Sequence, residues 1–300
     1  MADAKLTALT AIAAVAAEDL FYVVDDPAGA PAEKKATAAQ VKTYVGFPQG
    51  HIFGLILSNA AVDTTNDINV TAGKARNSTD TTDITLASAI VKQIDAAWAV
   101  GTNAGGMNTG AVANGTWYEV HLIRRSDTGV VDVMFTTTAN RATLPTSYDS
   151  QRQIGWVRRG TATNLQFTQI DDYFTLAVAV NDAAAITAAT TATAITLTVP
   201  PSTIALFRAC NSGNSSNISV TTVFYGAGVS ALTPGTAGGV ASLYNAFIDD
   251  TTDGNRWARG VGQFAMRVSS SSQITHDSDF AQGTFDISTL GWTDTRGRLM

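Results

Sequence analysis

A chain of 300 residues with a 45% hydrophobic share can bury sizeable cores, which excludes intrinsic disorder. Charged residues make up only 15%, against roughly 25% in ordinary soluble domains. The net charge of −6 without a Lys/Arg cluster excludes a nucleic-acid surface, and the single cysteine, Cys210, excludes an intrachain disulfide or cysteine metal cage.

The segment Ala8–Ala17 has the apolar look of a signal-peptide core. Lys5 is the only cation before it, Thr10 interrupts it, and Glu18-Asp19 follow at once, so it is not read as one. No stretch approaches the roughly 18 apolar residues of a membrane span. The expectation is a chain made in the cytoplasm that reaches any exterior position through assembly.

Residues 1–48 carry a short apolar strand, Leu20-Phe21-Tyr22-Val23-Val24, closed by Asp25-Asp26-Pro27. Thr37 and Gln40 stand at capping-box spacing, which predicts a short helix through Tyr44 with Val41, Tyr44 and Val45 on one side. Gly46 and Pro48 end it. So small a unit buries little by itself, and Leu20, Phe21, Tyr22, Val23, Val41 and Tyr44 are the residues expected to dock it on a neighbour.

Residues 49–174 read as a first β domain. Ile52–Leu57 is a continuous apolar run, expected as one buried strand, and Asp67–Arg76 alternates up to a glycine turn. Ala87–Trp98 reads as a helix or an irregular arm, with Ile90, Val91, Ile94 and Trp98 at helical spacing. Gly101–Gly115 is a loop. Thr116–Arg125 is a long strand with Trp117, Glu119, His121 and Ile123 on one face, turned by Asp127-Thr128-Gly129 into Val130–Phe135. Ile154–Arg159 and Leu165–Ile170 are expected to pair.

Residues 175–300 repeat the style. Ala194–Val199, Ile204–Ala209, Ile218–Tyr225, Gly262–Ser269 and Gly283–Leu290 are strand candidates separated by polar turns. The fold class is therefore mainly β: a small strand–turn–helix adaptor followed by two β-sandwich or jelly-roll-like domains.

The residues that could carry chemistry are few. His51, His121 and His276 stand at no metal-ligand spacing, and His121 is expected at a hydrogen-bonded core edge beside Trp117 and Glu119. The acidic run Asp249–Asn255 departs from an EF-hand, with Thr251 in place of an acidic ligand and Gly260 in place of the bidentate Glu. It is read as a surface turn, with a calcium site of another kind left open. Walker, dinucleotide and nucleophile-elbow motifs are missing, so no catalytic residue, metal or cofactor is assigned. Trp257, with Arg256 and Arg259 beside it, is the candidate contact for a sugar ring.

Lys5–Leu9, Glu18–Pro27 and Lys34–Thr37 together resemble the N-terminal segment of tailed-phage and prophage fibre or appendage proteins. Gly115–Phe135, with Leu144-Pro145 and Arg152–Gly155, is similar to a β module of prophage tail-region proteins, and Leu290–Arg298 looks like a terminus found beside it. The resemblance implies a virion component, often homotrimeric, that attaches by its N-terminal segment to tail, baseplate or capsid proteins and engages the host surface, including its polysaccharide. It brings no catalytic motif. Capsid decoration with a purely mechanical role and a tailspike-type depolymerase are the rival readings. Neither the heptads nor the long glycine repeats of an extended shaft are found, which favours a short appendage.

Overall fold

In unit 1 of the computed structural model, the apolar block and the Lys-rich segment fold back on each other. Leu20–Asp25 (β1) pairs antiparallel with Ala32–Thr37 (β2), from Leu20 opposite Thr37 to Asp25 opposite Ala32. The helix Ala38–Val45 (α1) follows directly. Its capping box forms: the Gln40 amide donates to Thr37 Oγ1 at 3.2 Å and the Thr37 amide to Gln40 Oε1 at 2.8 Å. The structure describes residues 15–25, 29, 32–187, 189–213, 220–230, 243–246, 258–278 and 284–298. The chain divides into two units, Met1–Pro48 and Gln49–Met300.

The second unit is built almost wholly of strands. In chain order they are β3 (Ile52–Gly54), β4 (Leu57–Asn59), β5 (Asp67–Val70), β6 (Gly73–Arg76), β7 (Asp83–Leu86), β8 (Ile90–Ala97) and β9 (Ala104–Met107). There follow β10 (Trp117–Arg124), β11 (Val131–Thr136), β12 (Ser150–Arg158), β13 (Phe167–Ile170), β14 (Tyr173–Thr187) and β15 (Thr193–Thr196). The last six are β16 (Ile204–Gly213), β17 (Val220–Tyr225), β18 (Leu243–Ala246), β19 (Ala258–Arg267), β20 (Gln273–Ser278) and β21 (Thr284–Thr293).

One 12-stranded sheet runs β12-β10-β11-β9-β8-β5-β4-β13-β14-β21-β16-β19. All of its pairings are antiparallel except those of β9, which lies parallel to both β8 and β11. Beyond the ends of β12 and β13, an Arg159–Asn164 bridge and the Leu165 amide donating to the Arg158 carbonyl at 2.9 Å bring the chain back on itself. A three-stranded sheet, β3-β6-β7, packs through β7 on β10 and β11. A four-stranded sheet, β15-β20-β17-β18, faces the β14-β21-β16-β19 end across Phe207, Phe224, Phe264 and Phe285, with ring centroids 5.4–5.9 Å apart.

A single buried cluster extends from Leu55 to Trp292. Phe174 stacks on Trp292 at 4.9 Å, and Trp117 meets the same indole edge-on at 5.0 Å. On β10, Tyr118, Val120 and Leu122 enter this core, whereas Ile123 joins Met134 and Tyr148 in a smaller cluster. The Asp127-Thr128-Gly129 hairpin forms as expected: Gly129 has φ 73 and donates to the Arg125 carbonyl at 3.0 Å.

Five expectations are revised. Gly101–Gly115 is not all loop but holds β9, which pairs with β8 and β11. The run Ile52–Leu57 is not one strand, because Gly54 (φ 66) and Leu55 (φ 54) turn through the left-handed region and send β3 and β4 to different sheets. A Cβ on Gly54 would stand 2.4 Å from the Ala72 carbonyl oxygen, so the turn needs a glycine there. Ala87–Trp98 is neither helix nor arm but holds β8, pairing with β5 and β9. Ile154–Arg159 and Leu165–Ile170 do not form a ladder with each other; β12 pairs with β10, and β13 with β4 and β14. The division expected at residue 174/175 falls inside β14, and described residues on both sides of it share the main buried cluster.

Candidate functional site

A two-stranded hairpin cannot cover its own faces. In β1 of the first unit, Leu20 is 58% exposed, Phe21 42%, Tyr22 68% and Val23 37%. Tyr22 and Val23 stand opposite Lys35 and Lys34 on β2. Four consecutive apolar side chains in water make this strand the candidate contact surface. Val41 on α1 is half-buried, and the side chains of Val24 and Tyr44 lie outside the described residues. Of the residues expected to dock this unit on a neighbour, Leu20, Phe21, Tyr22 and Val23 lie exposed along β1.

The candidate sugar contact cannot be placed in the same way. Arg256 and Trp257 lie outside the described residues, as does the acidic run 249–255. Arg259 is described in its backbone alone, in β19 opposite Ser212.

In the second unit, alternation along β10 puts Glu119 and His121 side by side, with His121 Nε2 and Glu119 Oε2 at 2.8 Å. Both are buried. The carboxylate also accepts from Thr138 Oγ1 at 2.8 Å and from Arg141 Nε at 3.0 Å and Nη2 at 2.5 Å. Burial pushes the Glu119 carboxyl upward, but the hydrogen bonds from His121 and Arg141 overcome it and hold the group down at about 2. The arrangement fastens the 3-10 turn Thr138–Asn140 onto the sheet. His121 and Glu119 sharing a face was readable from their spacing, whereas Thr138 and Arg141 carry no local signal.

Two further clusters were not foreseen. Arg152 and Arg296, both buried, spend their guanidinium protons on backbone carbonyls. Arg152 donates to Arg296 O at 3.0 Å, Arg76 O at 3.2 Å and Gly50 O at 3.3 Å; Arg296 donates to Ile154 O at 2.9 Å, Gly54 O at 3.1 Å and Leu55 O. Between them, Asp294 has one oxygen on the Arg296 amide and the other, Oδ2, without a partner, and burial raises its carboxyl to about 6. On β20, His276 is fully buried against the Phe285 ring at 4.7 Å with neither ring nitrogen hydrogen-bonded, and burial lowers its pKa.

Among the described residues no group of three or more His, Cys, Asp and Glu is placed to hold a metal ion. No helix among them is long and apolar enough to cross a membrane. Comparison with known protein families found no match, and comparison with curated protein sequences found none either.

Proposed function

We propose that this chain is a structural protein of a bacteriophage virion, a short fibre- or spike-type appendage that serves attachment to the host surface. The observation that carries the reading is the exposed strand Leu20–Val23 on a small unit of its own, joined to a much larger β unit. Such a strand is suited to docking on tail, baseplate or capsid proteins, where its apolar side chains would leave water. The resemblance of residues 18–37 to phage attachment segments points the same way.

The exposed head is read as ending in a jelly roll. Supporting this, strands β14 to β21 are shared between two facing layers, β14-β21-β16-β19 and β15-β20-β17-β18, with most connections crossing from one layer to the other. Assembly as a homotrimer belongs to the same reading; it would hide apolar surface such as Val178 and Val261, 79% and 64% exposed. Host polysaccharide is the receptor class to try first, given the aromatic–arginine segment at 256–259.

The test is direct. Purified full-length protein should sediment as an oligomer, decorate particles lacking it, and compete with intact particles for host cells. A monomer that does not bind particles overturns the reading. Particle binding without competition for cells assigns it instead to mechanical decoration, and release of oligosaccharide from host capsule assigns it to a depolymerase.

A further inference from the structure

Lys92 on β8 and Asp132 on β11 form a pair with almost no access to water. Their side chains are 0% and 1% exposed, and Lys92 Nζ lies 3.2 Å from Asp132 Oδ1. The two strands are not neighbours, since β9 runs between them. Trp98 covers the site, with Nζ 5.4 Å from its ring centroid, and Tyr148 meets that indole edge-on at 5.2 Å. A buried ion pair of this kind gains little over an apolar pair, because both charges lose their hydration. A covalent link removes both charges at once.

The surrounding backbone is arranged for that reaction. The Gly101 amide donates to Asp132 Oδ2 at 2.7 Å and the Val133 amide to Oδ1 at 2.7 Å, so both carboxylate oxygens are held by fixed donors. Lys92 Nζ also donates to Ala99 O at 2.5 Å and Gly101 O at 3.2 Å. Once the ammonium yields its third proton to Asp132, those two carbonyls retain the remaining N–H groups and leave the lone pair directed at the carboxyl. Reacting groups prepositioned in this way behave as if present at a large effective concentration.

We propose that Lys92 and Asp132 condense into an intramolecular isopeptide bond that cross-links β8 to β11. Nζ first passes a proton to Oδ1, giving a neutral amine and a neutral carboxylic acid. The amine then attacks Cγ, and the negative charge that develops on Oδ2 is met by the Gly101 N–H, as in an oxyanion hole. A second proton moves from Nζ to Oδ1, the Cγ–Oδ1 bond breaks, and water leaves. The amide keeps one hydrogen on nitrogen and Oδ2 as its carbonyl oxygen, so atoms and charge balance without any co-reactant. Desolvation lowers the Lys92 pKa, which favours the neutral nucleophile.

The cross-link would join β8 to β11 across the intervening β9 through a bond that neither heat nor denaturant breaks, whatever the protein attaches to. Intact mass spectrometry of the denatured full-length wild type tests it. The expected mass is that of the sequence less one water, with proteolysis yielding a single branched peptide joining the segments around Lys92 and Asp132. Lys92→Arg and Asp132→Ala should show the full sequence mass, whether or not they fold. A wild type of full mass overturns the proposal, as does a water loss that persists in K92R or maps to a succinimide elsewhere.

Discussion

The guanidinium of Arg296 donates to the carbonyl oxygen of Leu55, a residue 241 positions earlier in the chain. It also binds Gly54 O and Ile154 O, so one side chain near the C-terminal end holds the left-handed turn that separates β3 from β4. Arg152 secures the same region from β12 through Gly50 O and Arg296 O. The first and last segments of the second unit are thereby tied together by arginine and backbone.

Replacing Arg296 with Met should leave the Leu55 and Ile154 carbonyls buried without donors. We expect a loss of about 3 kcal/mol in unfolding free energy, since breaking a buried charged hydrogen-bond set is among the costlier single changes. Urea unfolding of R296M against wild type measures it, and an unchanged midpoint would show the contacts to be idle.

Asp294 is shifted in the opposite direction from a carboxylate held by charged partners. Its folded value is raised to about 6 from 3.8, so its charged form is disfavoured in the native state. The contribution is present below pH 3.8 and is lost as pH rises through about 6. Asp294→Asn keeps an acceptor for the Arg296 amide and should be the more stable protein at pH 7, by up to about 3 kcal/mol. Thermal melts of D294N and wild type should converge near pH 4.

Glu119 has the reverse sign. Held down at about 2 against 4.5, it stabilises the fold above the unfolded value, and that contribution disappears as pH falls through the native one. Glu119→Gln should cost about 2–3 kcal/mol at neutral pH, because Arg141 and His121 lose a charged partner. The difference between E119Q and wild type should shrink in acid.

His276 adds an acid-sensitive element to the sandwich. Burial lowers its folded pKa below 6.5, so the unfolded chain takes up the proton first and stability falls as pH drops below that value. The carboxylate of Asp277, adjacent on β20, acts in the opposite direction, but burial prevails. His276→Leu removes two unbonded ring nitrogens from an apolar site and should flatten the fall in stability as pH drops below about 6.5.

On the first unit, Leu20→Ser with Tyr22→Ser removes two of the most exposed apolar side chains of β1. The proposed attachment role predicts at least about a tenfold loss of affinity for acceptor particles, equivalent to about 1.4 kcal/mol, with the melting of residues 49–300 unchanged. Equal binding by the double variant would move attachment away from this strand.

Local pattern made much of the strand content legible. Alternation in Trp117–Arg124, the Asp-Thr-Gly turn and the Thr37–Gln40 box each act over a few residues, and each appears where the sequence places it. β8 was hidden for a specific reason. Its buried alternate positions are Ile90, Lys92 and Ile94, and a lysine in the inward register disguises the period of two. Asp132, brought in from another strand, together with the Ala99 and Gly101 carbonyls, makes that lysine tolerable there. The run Ile52–Leu57 misled in a similar way: Gly54 permits the break, but the Ala72 carbonyl packed against it and the Arg296 guanidinium that binds it come from elsewhere in the chain.

The same division holds for function. Sequence alone determined that the chain is β-rich, low in charge, and headed by a small apolar strand and capped helix, since those properties follow from residue type and near-neighbour spacing. The tertiary structure decided which strands share a sheet, that described residues on both sides of β14 share the main buried cluster, and that Glu119, Asp132, Arg152 and Arg296 find their partners. Those outcomes depend on groups far apart in sequence meeting where water is excluded, and no local pattern encodes such a meeting.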